Sequence, residues 1–146
     1  MVKTATAILL IGLLFSGVYG LLLTFNPRMI ADKTLDARAG KILADVGDTE
    51  VADTIVAQTR HMGVFGVCIT IAMFFVLFKG FKKGEKWAWW AFLFVGGIAY
   101  IYGLIVQIME KDMFNMILHI IGTALIAIGL VLPIKEFFGK KGETAK

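Results

Sequence analysis

The sequence predicts an all-α protein, an integral membrane four-helix transmembrane bundle with a helical extracytoplasmic loop, and three observations lead there. Four continuous apolar runs, Ala5 to Phe25, His61 to Phe78, Trp87 to Met109 and Met113 to Pro133, each approach the roughly 20 residues that a helix needs to cross a hydrocarbon core about 30 Å thick. A mean hydropathy of +0.80 with 58% hydrophobic residues is too apolar for a soluble domain, in which about half the residues are apolar. The runs are unbroken rather than alternating, which argues against barrel strands, and a spanning helix satisfies its backbone hydrogen bonds internally. Residues 1–146 read as one membrane domain with spans 5–25, 61–78, 87–109 and 113–133, an extracytoplasmic loop 26–60 and a cytoplasmic tail 134–146.

The first span follows Lys3, and its apolar run exceeds the 7 to 15 residues usual for the core of a signal peptide; no Ala-x-Ala site follows, so it is expected to be retained. It carries Gly12, Ser16 and Gly20 at steps of four, a stripe of small residues that lets another helix approach closely in lipid.

The loop opens with Asn26-Pro27, a helix-starting pair. Thr34 is expected to cap a second short helix in which Leu35, Ala39, Ile42, Leu43 and Val46 form an apolar face opposite Asp36, Arg38, Lys41 and Asp45. Gly47-Asp48 ends it, and from Thr49 an apolar pattern runs without a breaker into the second span, which is expected to project beyond the membrane. The amphipathic element is expected either to lie on the membrane surface or cap the bundle, or to serve as a docking surface for a partner.

The second span holds Gly63, Gly66 and Thr70, and also Cys68, the one cysteine, which rules out an internal disulfide and reads as a small packing residue. Trp87, Trp89 and Trp90 open the third span directly after Lys82, Lys83 and Lys86, the arrangement of membrane-interface anchors. Ala99 and Gly103 on the third span, and Gly122 and Gly129 on the fourth, extend the small-residue stripes. Phe137 and Phe138 are expected to lay the first turn of the tail along the interface.

Lysines set the orientation. Lys3, then Lys79, Lys82, Lys83 and Lys86, then Lys135, Lys140, Lys141 and Lys146 mark one side, whereas the acids Asp32, Asp36, Asp45, Asp48, Glu50, Asp53, Glu110 and Asp112 and every arginine fall on the other. By the positive-inside rule both termini are cytoplasmic, and the expected location is the cytoplasmic membrane of a prokaryote. The pI near 9.3 then reflects contact with anionic lipid and calls for no nucleic-acid partner.

Polar residues inside the spans cluster in the outer half. Tyr100, Gly103, Gln107 and Glu110 share one face of the third span, as Asn115, His119 and Gly122 do on the fourth. An antiparallel pair turning near Lys111 sets His119 opposite Gly103 and Leu104, within reach of Tyr100 and Gln107, so His119, Tyr100, Gln107 and Asn115 form a candidate ligand pocket. The plainer alternative is a neutral His119 hydrogen-bonded to Gln107 or Tyr100 that only stabilises the bundle.

At the rim, Arg60 is expected to pair with Glu110 or Asp112, with His61 alongside. Haem held between His61 and His119 is disfavoured by a depth difference of roughly 9 Å at 1.5 Å per residue. No metal is expected, since the histidine and acid spacings of metal sites are absent, and no serine triad, nucleotide loop or metalloprotease motif is present.

The run Thr59-Arg60-His61-Met62-Gly63 at the head of a span, with the turn Phe78-Lys79-Gly80-Phe81-Lys82-Lys83-Gly84-Glu85-Lys86-Trp87-Ala88-Trp89, resembles small four-span membrane proteins of the DoxX-like type over about residues 5–133. That resemblance implies association with a quinone-linked respiratory complex. It carries over no catalytic residue, and the long acidic outer loop departs from it. The expected function is a non-enzymatic accessory or assembly subunit of a larger membrane complex, with the lipid bilayer and other membrane subunits, or further copies of the chain, as partners. The alternatives are a quinone- or lipid-binding redox component built around His119, and a small-solute carrier.

Overall fold

Helix α1 occupies Val2–Phe25, where an uninterrupted apolar sequence offers no breaker before Asn26. Residues 1–139 are described in the computed structural model, the side chain of Phe114 excepted. Lys140, Lys141 and Lys146, part of the lysine pattern above, lie outside the described residues. Among the described residues every regular element is helical: α2 Pro27–Ala39, α3 Thr49–Lys79, a long α4 over Lys86–Glu110, α5 Met113–Val131 and a short α6 Ile134–Phe138. Two single 3-10 turns, Leu43–Asp45 and Phe81–Lys83, punctuate the connections.

By length and composition α1, α3 and α4 can each cross a membrane, while α5 has a shorter apolar stretch over Asn115–Val131. Proline at the first position of α2 fits the expected start. The loop departs from expectation after that. Thr34 caps nothing and sits inside α2, which runs on to Ala39 and stops at Gly40 in the left-handed region with φ 60°. Gly40 tolerates that conformation because it has no Cβ, so the helix ends there rather than at Gly47. The chain then returns along α2, with the Leu43 N–H donating to Asp32 at 2.8 Å. Asp48 caps α3, its carboxylate accepting from the N–H groups of Glu50 at 2.8 Å and Val51 at 3.3 Å.

Four helices form the bundle. α1 packs along α3 and along α5, and α5 packs along α4. The α1–α3 seam is tight because small residues face each other: Gly66 lies against the Cα of Gly20, and a Cβ on Gly63 would meet the Thr24 main-chain nitrogen at 2.6 Å. Between α3 and α4 extensive contact is missing; the two meet near the first turn of α4, where Gly80 lies under Trp87 and Ala88. The fourth side of the bundle is thus an open seam.

The core is off-centre. Leu9, Leu77, Phe81, Ala88, Phe92, Leu130 and Phe137 pack together at the lysine-bearing end, with Phe81 and Phe137 rings 4.9 Å apart. Two sequence expectations change here. Trp89, expected at the surface with its neighbours, is buried while Trp87 and Trp90 are exposed, and its indole N–H donates to the Leu130 carbonyl at 2.9 Å. Successive helical residues are rotated by about 100°, so a Trp-x-Trp-Trp run cannot all face outward. Phe137 is likewise buried, leaving Phe138 as the exposed ring of that pair.

One irregularity lies in α4. Phe92–Gly97 forms a π-helical turn, in which the wider i to i+5 pattern takes up an additional residue. It ends two residues before Ala99 and three before Tyr100.

Candidate functional site

The open seam and the sparse packing of the outer half leave two cavities that adjoin. The first, about 230 Å³, lies inside the bundle among α1, α3, α4 and α5. Its walls are mostly apolar, from Leu13, Phe15, Ile69, Met73, Val95 and Leu125, and its polar groups come from Ser16, Tyr19, Thr70, Tyr100 and His119. The second, about 550 Å³, lies beneath α2 and is lined by Thr34, Arg38, Gln58, Gln107 and Asn115 among others. Tyr19, Leu23 and His119 line both, so these three form the junction between an apolar chamber and a vestibule that carries more polar groups.

Glycine makes room for the site. A Cβ on Gly103 would collide with the His119 ring at Nε2 and Cδ2, and one on Gly122 would collide with the Tyr100 ring. The expected opposition of His119 and Gly103 across the α4–α5 hairpin is therefore found, with the Tyr100 and His119 rings edge to face at 5.9 Å between centroids.

Hydrogen bonds fix the ring orientations. His119 Nδ1 lies 2.8 Å from the Asn115 main-chain oxygen. A carbonyl only accepts, so that nitrogen carries the hydrogen and Nε2 of the neutral ring presents a lone pair. The Tyr19 hydroxyl donates to Asn115 Oδ1 at 2.7 Å, while Asn115 Nδ2 donates to Asp112 Oδ2 at 2.8 Å and to Thr34 Oγ1 at 3.3 Å. Ser16 Oγ donates to the Gly12 carbonyl at 3.0 Å, which leaves the Tyr100 hydroxyl as the donor in its short contact with Ser16. Neither alternative offered by the sequence, a His119 bond to Gln107 or to Tyr100, is what holds the imidazole; its own helix does.

The rim is built differently from the sequence expectation. Glu110 and Asp112 are paired with Arg38 of α2, whose Nε lies 3.2 Å from Asp112 Oδ2, and not with Arg60. Among the described residues Arg60 and His61 make no ion pair with either acid; both are exposed on α3. Arg38 reaches the rim because α2 continues unbroken through Thr34 and carries its last turn across the α4–α5 turn. Gln107 also turns to Arg38, at 3.4 Å, while still lining the vestibule.

Of the sequence-predicted pocket residues, His119, Gln107 and Asn115 line the vestibule and His119 and Tyr100 line the apolar chamber. Two were missed. The small-residue stripe marks Ser16 for packing alone, and Tyr19 carries one sequence signal, its place three residues after Ser16 on one helical face. The stripe residues Gly12, Ser16, Gly20, Gly122 and Ala99 line the apolar chamber, whereas Gly129 packs against Leu9.

Comparison with protein-family models, with curated proteins and with solved structures finds no match to this chain.

Proposed function

We propose that the chain is a four-span membrane protein that binds a lipid-soluble molecule inside its bundle. The observation that carries this reading is the apolar chamber beside the open α3–α4 seam, with hydrogen-bonding groups confined to one end of it. Laterally open chambers of this kind admit molecules already dissolved in the bilayer, and a largely apolar pocket with few convergent polar groups is the usual form of a small-molecule site. Supporting the membrane setting are the exposed apolar side chains of all four helices, among them Phe65, Phe75 and Ile105, and the sorting of charge between the two ends. The α5 run, Asn115–Val131, supports a fourth crossing at the short end of the range of about 17 to 25 residues. The lysine pattern supports an orientation with both termini in the cytoplasm. The DoxX-like resemblance makes a membrane quinone one candidate ligand, and a lipid is another.

Organic extraction of the protein purified in mild detergent from its own membrane tests the binding role. A lipid-soluble molecule recovered in near-stoichiometric amount is expected, and a Leu125→Trp variant, which fills the chamber, is expected to lose it. Recovery of bulk lipid alone, unchanged in the variant, would sink the reading.

The accessory-subunit role is the second reading, favoured by the outer cap: α2 is pinned over the rim by Arg38 yet leaves Asp36 and Ala37 exposed on its outward side. Under this reading a partner subunit co-purifies with the native protein and is lost when exposed α2 side chains are reversed in charge.

A further inference from the structure

We propose that the junction between the two chambers binds the uncharged, hydrogen-bond-donating head of a membrane amphiphile, an alcohol or phenol, with its tail in the apolar chamber. This rests on the binding role proposed above and assigns the ligand's chemistry. Tyr19 has one hydroxyl hydrogen, and it is given to Asn115 Oδ1. His119 gives its Nδ1 hydrogen to the Asn115 carbonyl. Tyr100 gives its hydrogen to Ser16, whose own goes to the Gly12 carbonyl.

What these four side chains still offer is lone pairs: on Tyr19 Oη, on Tyr100 Oη and on His119 Nε2. The ring edge packs against Gly103, where a Cβ would collide with it, and among the described residues Nε2 takes no hydrogen bond. Placed against these three atoms, a head group that only accepts, such as an ester or a ketone, would bring lone pairs against lone pairs, and buried polar atoms left unpaired are costly. A head group that donates satisfies both sides.

Charge narrows the class further. Among the described residues Arg38 is the one charged residue lining either chamber, and its guanidinium is already held by Glu110 and Asp112. An anionic head would have to displace those carboxylates, and a cationic head would meet Arg38 with no acid in the lining to receive it. A neutral head meets neither difficulty. Glycerol lipids and prenylated hydroquinones share this hydroxyl chemistry.

Native mass spectrometry of the detergent-solubilised protein with one added amphiphile at a time tests the assignment. Matched pairs are monoolein against methyl oleate, and a prenylated hydroquinone, kept anaerobic, against its quinone; oleoyl lysophosphatidate is the anionic arm. In each pair the hydroxyl-bearing member is expected to be retained roughly tenfold better, the difference that one or two satisfied hydrogen bonds make. Lysophosphatidate is expected to do no better than methyl oleate. The better retained of the two hydroxyl-bearing probes identifies the source.

Tyr19→Phe, Tyr100→Phe and His119→Leu each remove an acceptor. Each is expected to shrink the donor preference severalfold while methyl oleate retention holds, a selective change that a merely structural role would not produce. Equal retention within both pairs, or an undiminished preference in every variant that folds, would overturn the head-group assignment and leave the cavity reading intact. Retention of none of the amphiphiles would sink the binding role and the assignment with it.

Discussion

Arg38, in the last turns of α2, and Asp112, in the turn between α4 and α5, are 74 positions apart and meet at 3.2 Å, with the Asp112 side chain fully buried. Asp112 also caps α5 by accepting from the Asn115 N–H at 3.0 Å and receives the Asn115 side-chain amide at 2.8 Å. One carboxylate therefore joins the cap to the bundle and orients the residue that in turn holds Tyr19 and His119.

Asp112→Ala removes the cap and the buried acceptor together, and a loss of about 2 kcal/mol is expected from the two effects. Glu110→Ala takes away only the half-exposed partner of Arg38 and is expected to cost less than about 1 kcal/mol. Thermal unfolding in one fixed detergent ranks the two; an equal or reversed order would contradict the central place given to Asp112.

Close helix approach makes a second, paired prediction. At Gly63 an added methyl group meets the main chain of Thr24, which cannot move aside, so Gly63→Ala is expected to destabilise by about 1 to 3 kcal/mol through overpacking. At Gly12 the nearest atom to an added methyl is Leu125 Cβ at 3.6 Å, ordinary contact, so Gly12→Ala is expected to be neutral or slightly stabilising. The same melting experiment separates them.

Among the three tryptophans only Trp89 donates to a carbonyl across the bundle. Trp89→Phe is expected to lower stability by about 1 kcal/mol or more, combining the lost hydrogen bond with a smaller ring, whereas Trp87→Phe leaves the melting temperature unchanged. Matching losses at both positions would show that Trp89 has no special packing role.

At the other end, the Met1 ammonium lies 2.9 Å from Glu136 and the Val2 N–H donates to the same carboxylate at 2.8 Å. The hydrogen bond from the ammonium, helped by that of Val2, holds the Glu136 carboxyl below the usual glutamate value. A depressed folded value means that this tie is fully present above the ordinary carboxylate range and is lost as pH falls through the lowered one. A carbonyl NMR titration should therefore give Glu136 an acid-shifted midpoint. An ordinary midpoint would mean the tie between α1 and α6 does not form.

Topology can be read with single cysteines on a Cys68→Ala background. An impermeant thiol reagent applied to intact cells should modify Gly47→Cys and miss Gly84→Cys; the opposite pattern would invert the proposed orientation.

Much of this was legible in the residues. The apolar runs located all four bundle helices, and the pattern beginning at Thr49 located the start of α3, because uninterrupted hydrophobicity is a local signal. The His119 and Gly103 opposition followed from counting outward from the turn at Lys111. What escaped was set by geometry that spacing does not carry. The path of α2 depended on where a helix of mixed polarity stops, and Thr34 looked like a cap when Gly40 was the true end, so Arg38 went unassigned and Arg60 took its place. Trp89 was grouped with its neighbours because composition ignores helical rotation. The Tyr19 bond to Asn115 spans 96 positions and required α1 to lie against α5, a choice among helix arrangements that the small-residue stripes alone left open.

The widened turn at Phe92–Gly97 has a bearing on how this protein could diverge. An α-helix advances about 100° per residue, so the surplus residue there sets the angular phase of everything downstream against the anchored tryptophan end. Excising one position from that stretch would leave the flanking amino acids in the same order, yet swing Tyr100, Gly103 and Gln107 round toward the outside of the bundle. A relative with a single deletion at this point would keep the look of the motif and lose its aim.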